Sequence, residues 1–211
     1  MYALVTDGAV VAYPYVDADL RRDNPDVSFP AEMNDTDRAD FGMLPVEGTS
    51  VPDGKRSTGV TASFVDGNLV EGHTLEDIPL DDLKAALHEA VNAKLDAALS
   101  GGFTVQSGAM AGKVLQTRDL TDRTNWLVSQ ASYSAAVASG AGAVENAKFR
   151  TADNATFTMS YAEGLNVLLA MAGWGAACLD NSWALKDAIV AAGDKTALDA
   201  IDVNAGWPDV P

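Results

Sequence analysis

The chain is poor in the side chains that build disulfides and zinc sites, because its 211 residues include one cysteine and two histidines. The single cysteine, Cys178, excludes an internal disulfide. With two histidines it could form a structural zinc site only if carboxylates completed the ligand set. Cys178 lies in an apolar run, which is typical of a buried small hydrophobe. A nucleophilic cysteine needs a nearby base, and His73 and His88 are both distant from it in sequence.

Long apolar segments and targeting signals are also missing from the sequence. The most apolar segment, residues 165–175, is shorter than the ~20 residues that a helix needs to cross a bilayer. Residues 1–8 have neither the basic start nor the apolar core of a signal peptide, and they match no lipidation motif. The sequence therefore predicts no membrane insertion and residence in a cytoplasm-like compartment until assembly.

Basic side chains are scarce relative to acidic ones. There are 14 Lys and Arg against 30 Asp and Glu, which gives a net charge of −16 and a pI of about 4.2. A surface this acidic repels phosphate, which argues against nucleic acid or an anionic membrane as a direct partner. Hydrophobic residues make up 47% of the chain, enough for an ordinary globular core.

The first 75 residues predict a β-rich module with small helical inserts. Asp7-Gly8 and Asp66-Gly67-Asn68 are turn signals between apolar or alternating runs, so each predicts a β-hairpin. Pro14 should end the second strand because it cannot donate a ladder hydrogen bond. The predicted strands are residues 2–6, 9–13, 58–64 and 69–74, the short helices lie within 17–22 and 34–41, residues 44–46 are extended, and residues 47–57 form a loop.

From residue 76 onward the pattern changes to long helices. Leucines recur at spacings of three and four after Pro79, which predicts an amphipathic helix from residue 80 to about 99. A second helix begins at Asp119 or Thr121 and runs to about 138. Ser160 and Glu163 form a capping box for the longest helix, which runs to about 192 or breaks near 173–175 or 180–182. Short hairpins at 103–115 and 149–159, and a final helix at 196–201, complete the unit.

The predicted fold class is therefore α+β. A β-hairpin-rich N-terminal module, residues 1–75, is expected to serve docking or attachment. It is followed by a C-terminal unit, residues 76–211, of three long helices with short β-hairpins. The boundary is placed at the acidic stretch that ends in Pro79.

Residues 34–40 offer the pattern closest to a metal site. Their oxygen ligands are spaced two or three residues apart, but a calcium loop also needs a glycine at its bend and a distal bidentate glutamate. Ala39 occupies the bend and Arg38 intrudes, so a capped surface helix is the preferred interpretation. Asp17 with Asp19 is a weaker candidate, and no metal ligand is assigned.

Catalytic and phosphate-binding patterns are equally weak. His88 borders the apolar face of its helix, His73 ends a strand, and no Gly-x-Ser-x-Gly elbow supports a hydrolase triad. The glycines at 101–102 and 139–142 follow helices rather than strands, so helix termination explains them better than a phosphate loop. Paired carboxylates of glycosidase type stay open, because the acids are numerous and scattered. We assign no catalytic, cofactor-binding or metal residue and predict a protein that is not an enzyme.

Two stretches carry a family resemblance. Residues 149–154, the strand and long helix after them, residues 185–189, residues 198–201 and the terminal Trp207-Pro208 are similar to an uncharacterised domain found near the C-termini of phage tail, tail-fibre and fibre-assembly proteins. The match spans roughly residues 80–208. Residues 13–15, 20–25 and 27–30 resemble the segment that often precedes this domain in phage proteins.

The resemblance implies a structural component of a tailed-phage virion: a tail, baseplate or fibre-attachment protein that docks on other tail proteins. Several symmetric copies in the virion tail, assembled in the host cytoplasm, are the expected arrangement. One alternative is a chaperone for tail-fibre assembly. Another, from a different class, is a tail-associated glycan-degrading enzyme. The family supplies no catalytic residues or cofactor.

Overall fold

The computed structural model describes residues 1–208. The chain divides into two compact units, Met1–Pro79 (unit 1) and Leu80–Pro211 (unit 2). Unit 1 is built mainly of strands and unit 2 mainly of helices, which confirms the α+β class.

Unit 1 contains a three-stranded antiparallel sheet in the order β2-β1-β3 and a separate β4–β5 hairpin. Its elements are β1 (Tyr2–Thr6), β2 (Ala9–Tyr15), α1 (Asp17–Asp23), α2 (Asp35–Ala39), β3 (Met43–Pro45), β4 (Lys55–Val65) and β5 (Asn68–Asp77). Both predicted hairpins are confirmed, and Asp7 and Asp66 have the positive φ values, 52° and 50°, that these tight turns require. Two small apolar clusters stabilise the unit, one around Leu20 and Met43 and one around Ala3, Val46 and Leu69.

The prediction that Pro14 ends the second strand is wrong, because β2 continues to Tyr15. Tyr2 pairs with Tyr15 and Leu4 with Ala12, so β2 carries one residue more than β1 between these pairs. The extra residue makes a β-bulge, where one position leaves the hydrogen-bond ladder. A bulge accommodates proline without the loss of a ladder bond.

The β4–β5 hairpin is longer than the sequence predicted, and residues 55–57 belong to β4 rather than to a loop. Lys55 pairs with Asp77 and Arg56 with Glu76 across the hairpin. Both pairs form ion pairs, with Lys55 Nζ 2.7 Å from Asp77 Oδ1. Opposite charges facing each other stabilise a strand pair, but charged residues lack the apolar alternation by which strands are recognised.

Unit 2 packs three long helices with two short hairpins. Its elements are α3 (Leu80–Gly101), β6 (Phe103–Thr104), β7 (Val114–Leu115), α4 (Leu120–Ala138), β8 (Glu145–Arg150), β9 (Thr156–Ser160), α5 (Tyr161–Ala191) and α6 (Lys195–Asp199). Asp119 caps α4 by accepting from the Asp122 backbone N–H. The Ser160–Glu163 capping box of α5 is confirmed, with Ser160 Oγ accepting from the Glu163 N–H and Glu163 Oε2 accepting from the Ser160 N–H.

Helix α5 is continuous, so the alternatives that break it near 173–175 or at 180–182 are wrong. Gly173 and Gly175 face open space, because a Cβ at either position would meet nothing within 4 Å. The alanines around them have high helix propensity, so the helix continues through both glycines. Ser182 begins no new helix, because its buried hydroxyl donates to the Leu179 carbonyl one turn back.

The main core of unit 2 surrounds Phe149. Phe149 is 1% exposed and stacks on Trp126 at 5.7 Å between ring centroids, while Tyr133 approaches edge-on at 6.1 Å. Helix α5 packs against α3, α4 and the β8–β9 hairpin, so it is the central element of the unit. A second cluster around Val91 and Ile189 is covered by Trp207, whose indole N–H donates to the Val203 carbonyl.

Candidate docking surface

The calcium candidate at 34–40 is a capped helix in which protein groups engage the carboxylates of Asp35 and Asp37. Asn34 Oδ1 accepts from the Asp37 N–H, and Asp37 accepts from the Asn34 N–H. Arg38 pairs with Asp17 at 2.8 Å and with Asp35 at 3.3 Å. Contact with Arg38 lowers the pKa of Asp17. Among residues 1–208, no group of three or more His, Cys, Asp or Glu is arranged to hold a metal ion.

The remaining sequence candidates occupy separate places. His88 is half-buried on α3. Cys178 is fully buried, and burial raises the pKa of its thiol, which disfavours the nucleophilic thiolate. Gly102 and Gly140 follow α3 and α4 with φ values of 105° and 85°, as glycines that end helices do.

Unit 1 contains a polar cluster, formed by Glu71 and His73, that no sequence pattern indicates. These residues lie on the same face of β5, because alternate residues of a strand point the same way. His73 Nε2 is 3.1 Å from Glu71 Oε1 and 3.1 Å from the Thr49 carbonyl oxygen. Its Nδ1 is 3.0 Å from Ser57 Oγ, and the other Glu71 oxygen accepts from the Tyr13 hydroxyl.

This set resembles a Ser-His-Glu triad in composition, but its hydrogen bonds point to a structural role. Ser57 Oγ also lies 3.0 Å from the Gly59 carbonyl, to which it donates. A hydroxyl that gives its only proton to a backbone carbonyl is not activated by the imidazole. Glu71 and His73 instead connect β5 to β2, to β4 and to the loop at Thr49.

The tyrosines of unit 1 provide a pH test of its polar contacts. Burial raises the pKa of Tyr13 to about 12, with the Glu71 hydrogen bond adding to the effect. Burial likewise raises the pKa of Tyr15 to about 12, with the hydrogen bond to Asp23 second. A folded-state pKa above the unfolded value stabilises the fold below pH ~10, and this stability is lost as pH rises towards 12.

We therefore expect absorbance at 295 nm to show two of the five tyrosines ionising only near pH 12. Tyr15→Phe should remove one late-ionising group and flatten the fall in urea midpoint between pH 10 and 12. Ionisation of all five tyrosines near pH 10, while circular dichroism still shows a folded chain, would contradict the assignment.

In unit 2, an open groove runs between α4 and α5, and we call it the α4/α5 groove. It consists of two adjoining cavities of about 210 and 330 Å³ that share Leu127 and Gln130. The first is lined by Leu99, Thr117, Arg123, Trp126, Leu127, Gln130, Leu168, Met171, Ala172, Trp174 and Gly175, and the second by Leu127, Gln130, Ala131, Ser134, Leu165 and Leu169.

Helical periodicity explains why these residues share a face. Leu127, Ala131 and Ser134 are spaced by four and three on α4, and Leu165, Leu169 and Ala172 are spaced identically on α5. Small residues at Ala131 and Ala172 leave the space, and the side chains of Leu127, 65% exposed, and Leu169, 49% exposed, line it. The groove is therefore an apolar surface that is open to solvent.

Two buried N–H donors lie on the side chains of this groove without an acceptor. Arg123 Nε and Trp174 Nε1 are both buried and have no hydrogen-bond partner. The acids nearest to Arg123 in sequence are engaged elsewhere: Asp119 caps α4, and Asp122 pairs with Arg118 at 2.9 Å. Buried donors without partners are rare in folded proteins, because each costs about 1–3 kcal/mol.

Helix α5 corrects the expectation about membrane-length segments. It has 31 residues and is apolar over a long stretch, so by length and composition it could cross a bilayer. Residues 165–175 are only part of this helix, which extends well beyond both ends of that segment. Core helices of globular proteins that are mostly buried pass the same test. In α5, Leu168, Cys178 and Ile189 are fully buried inside unit 2, but only 17% of the most apolar stretch is buried.

Comparison with known proteins identifies unit 2 by family. The α+β unit of three long helices and two short hairpins contains residues 82–205, which match a family described as Domain of unknown function (DUF4376). The match covers more than half of the chain, so the chain belongs to this family. No curated protein and no solved structure matches it.

Proposed function

We propose that this protein is a structural component of a tailed-phage virion, working as a tail, baseplate or fibre-attachment protein. Its partners are other tail, baseplate or fibre proteins, and it is present in several symmetric copies. It assembles in the host cytoplasm and stays in the virion tail. The phage assignment depends on the sequence resemblance over residues 13–30 and 80–208.

The observation that carries the docking role is the α4/α5 groove. Protein interfaces have an apolar centre with few charged residues and a polar rim. The exposed side chains of Leu127 and Leu169 offer such a centre, and Gln130 and Ser134 supply polar groups beside it. The net charge of −16 keeps the unassembled protein soluble despite this surface.

The same net charge supports a protein that makes no direct contact with nucleic acid and does not insert into a membrane. At the former metal candidates, the Asp37 carboxylate accepts from the Asn34 N–H in a helix cap, and the Asp17 carboxylate pairs with Arg38. The hydroxyl of the Ser57–His73–Glu71 cluster donates to a backbone carbonyl. These contacts support a protein that acts by binding and carries no cofactor.

A mass-spectrometric inventory of purified virions tests the structural role. We expect the chain in the particle at a fixed ratio to a known tail protein. If it is absent from particles but needed for fibre attachment, the structural role is wrong and the assembly chaperone is correct. Release of sugar from host envelope, abolished by an acid-to-amide substitution, would instead establish the glycan-degrading enzyme.

Leu127→Asp tests the groove itself. We expect incorporation into particles to fall about 30-fold, because a charge at the centre of an apolar interface costs about 2 kcal/mol or more. Folding should be unaffected, since Leu127 is mostly exposed. Leu120→Asp is the matched control, because Leu120 is 77% exposed on the same helix and does not line the groove. Equal incorporation of both variants would exclude the groove as the docking surface.

A further inference from the structure

We propose that the α4/α5 groove binds a carboxylate side chain of its protein partner, presented beside an apolar side chain, with Arg123 and Trp174 as the hydrogen-bond donors. This inference rests on the proposed docking role and specifies the chemistry of the partner.

The first observation that supports a carboxylate ligand concerns Arg123. Within residues 1–208 it has no ion pair, although acids outnumber bases by about two to one in this chain. The capping contact of Asp119 and the ion pair of Asp122 occupy the acids nearest to it in sequence. An arginine whose Nε is buried beside a cavity, with no acceptor within the protein, can take an anion from outside the unit as its partner.

The guanidinium geometry selects a carboxylate. A carboxylate can bind an arginine side-on, accepting one hydrogen bond from Nε and a second from a terminal nitrogen. Nε is the nitrogen of Arg123 that is buried without an acceptor. Side-on binding supplies that acceptor and the opposite charge in a single contact.

The second, independent observation that supports this ligand concerns Trp174. Its ring packs against Phe103 at 5.8 Å between centroids, but its indole N–H has no acceptor. An indole N–H can only donate, so it too needs an oxygen from the ligand. The Trp126 indole in the same cavity does have an acceptor, the Gln116 carbonyl at 2.7 Å. Among the residues that line this cavity, a buried donor without an acceptor is therefore found only at Trp174 and Arg123, and Thr104 Oγ1, which also lacks a partner, lies outside it.

The rest of the cavity fits an aliphatic group. Leu127, Leu168 and Met171 line it, and its volume of about 210 Å³ accommodates a side chain but not a folded element. The two donor atoms are shielded from solvent, so the ligand must displace a lining side chain to reach them. Met171 can move because methionine is unbranched and adaptable. Leu127 can move because most of its side chain is exposed.

Hexanoate is a suitable probe, because it joins a carboxylate to an aliphatic chain. In nitrogen-15 spectra of the full chain, we expect hexanoate to shift the Trp174 indole and Arg123 Nε–H signals. The exposed Trp183 signal should stay in place. Hexanamide should bind about tenfold more weakly, since a hydrogen bond to an ionised group is stronger than a neutral one. Hexylamine should cause no shift.

Variants locate the site. Arg123→Gln should abolish the hexanoate shift of the Trp174 signal, and Trp174→Phe should weaken binding while the cavity keeps its apolar lining. Arg150→Gln is the control, because Arg150 is another arginine of unit 2 whose guanidinium donates to Thr156 Oγ1. Unchanged spectra with hexanoate, or equal binding of hexanoate and hexanamide, overturn the carboxylate assignment.

Incorporation into particles separates this inference from the proposed function. If Leu127→Asp blocks incorporation but Arg123→Gln does not, docking at the groove is supported and the carboxylate contact is wrong. If hexanoate binds through Arg123 and yet Arg123→Gln is incorporated normally, the site accepts small carboxylates and not a partner side chain. Loss of incorporation with both variants, together with Arg123-dependent hexanoate binding, supports the inference.

Discussion

Phe149→Ala should lower the free energy of unfolding of unit 2 by about 4 kcal/mol, the usual cost of removing a fully buried phenylalanine. Phe149 is 1% exposed and contacts the rings of Trp126 and Tyr133. Removing the ring leaves a cavity between β8, α4 and α5 and eliminates both aromatic contacts. A loss of this size is a large part of the stability of a domain.

Tryptophan fluorescence during urea denaturation measures this effect, because Trp126, Trp174, Trp183 and Trp207 all lie in unit 2 and account for all four tryptophans of the chain. Leu120→Ala is the control, since Leu120 is 77% exposed and its truncation should change stability by less than about 0.5 kcal/mol. A loss below about 1 kcal/mol for Phe149→Ala would falsify the placement of this ring at the centre of the core.

Gly164→Ala should lower the free energy of unfolding of unit 2 by about 2 kcal/mol, although alanine is the better helix former. A Cβ at Gly164 would lie 2.6 Å from the Ala147 Cβ and 3.2 Å from Phe149 Cε2. Real Cβ atoms do not approach so closely, so α5 and β8 would have to move apart. The substitution therefore overpacks the same core that Phe149→Ala empties.

Gly173→Ala, on the same helix, is the matched control with the opposite expected sign. A Cβ at Gly173 meets nothing within 4 Å, so the gain in helix propensity should raise stability by up to about 1 kcal/mol. The two glycines are measured by the same tryptophan signal. Equal effects of the two substitutions would show that α5 does not approach β8 closely at Gly164.

Several elements could be predicted because their causes are local. Asp7-Gly8 and Asp66-Gly67 form turns through the backbone preferences of two or three residues. Asp119, Ser160 and Glu163 cap helices through side chains that reach only three residues along the chain. Leucines spaced by three and four predict α3, because this spacing is also a local pattern. These patterns were enough to predict the α+β class.

Other features depend on partners that are distant in sequence. Pro14 remains within β2 because the pairing with β1 places a bulge there. The strands β4 and β5 extend through Lys55 and Asp77 because opposite charges meet across the hairpin. Glu71 and His73 form a cluster only when β5 brings them to Tyr13 and Ser57. No local pattern of these residues indicates such contacts.

The elements whose hydrogen bonds and capping groups lie within a few residues follow from local sequence patterns, and the acidic charge that discourages contact with phosphate follows from composition. Neither assigns a site. The α4/α5 groove is visible only in the folded chain, because Ala, Ser and Gly at helical spacing are equally compatible with a packed core and with an open surface. The lack of an acceptor for Arg123 Nε and for Trp174 Nε1 is likewise visible only there, since a missing hydrogen-bond partner can be recognised only when every neighbour in space is known.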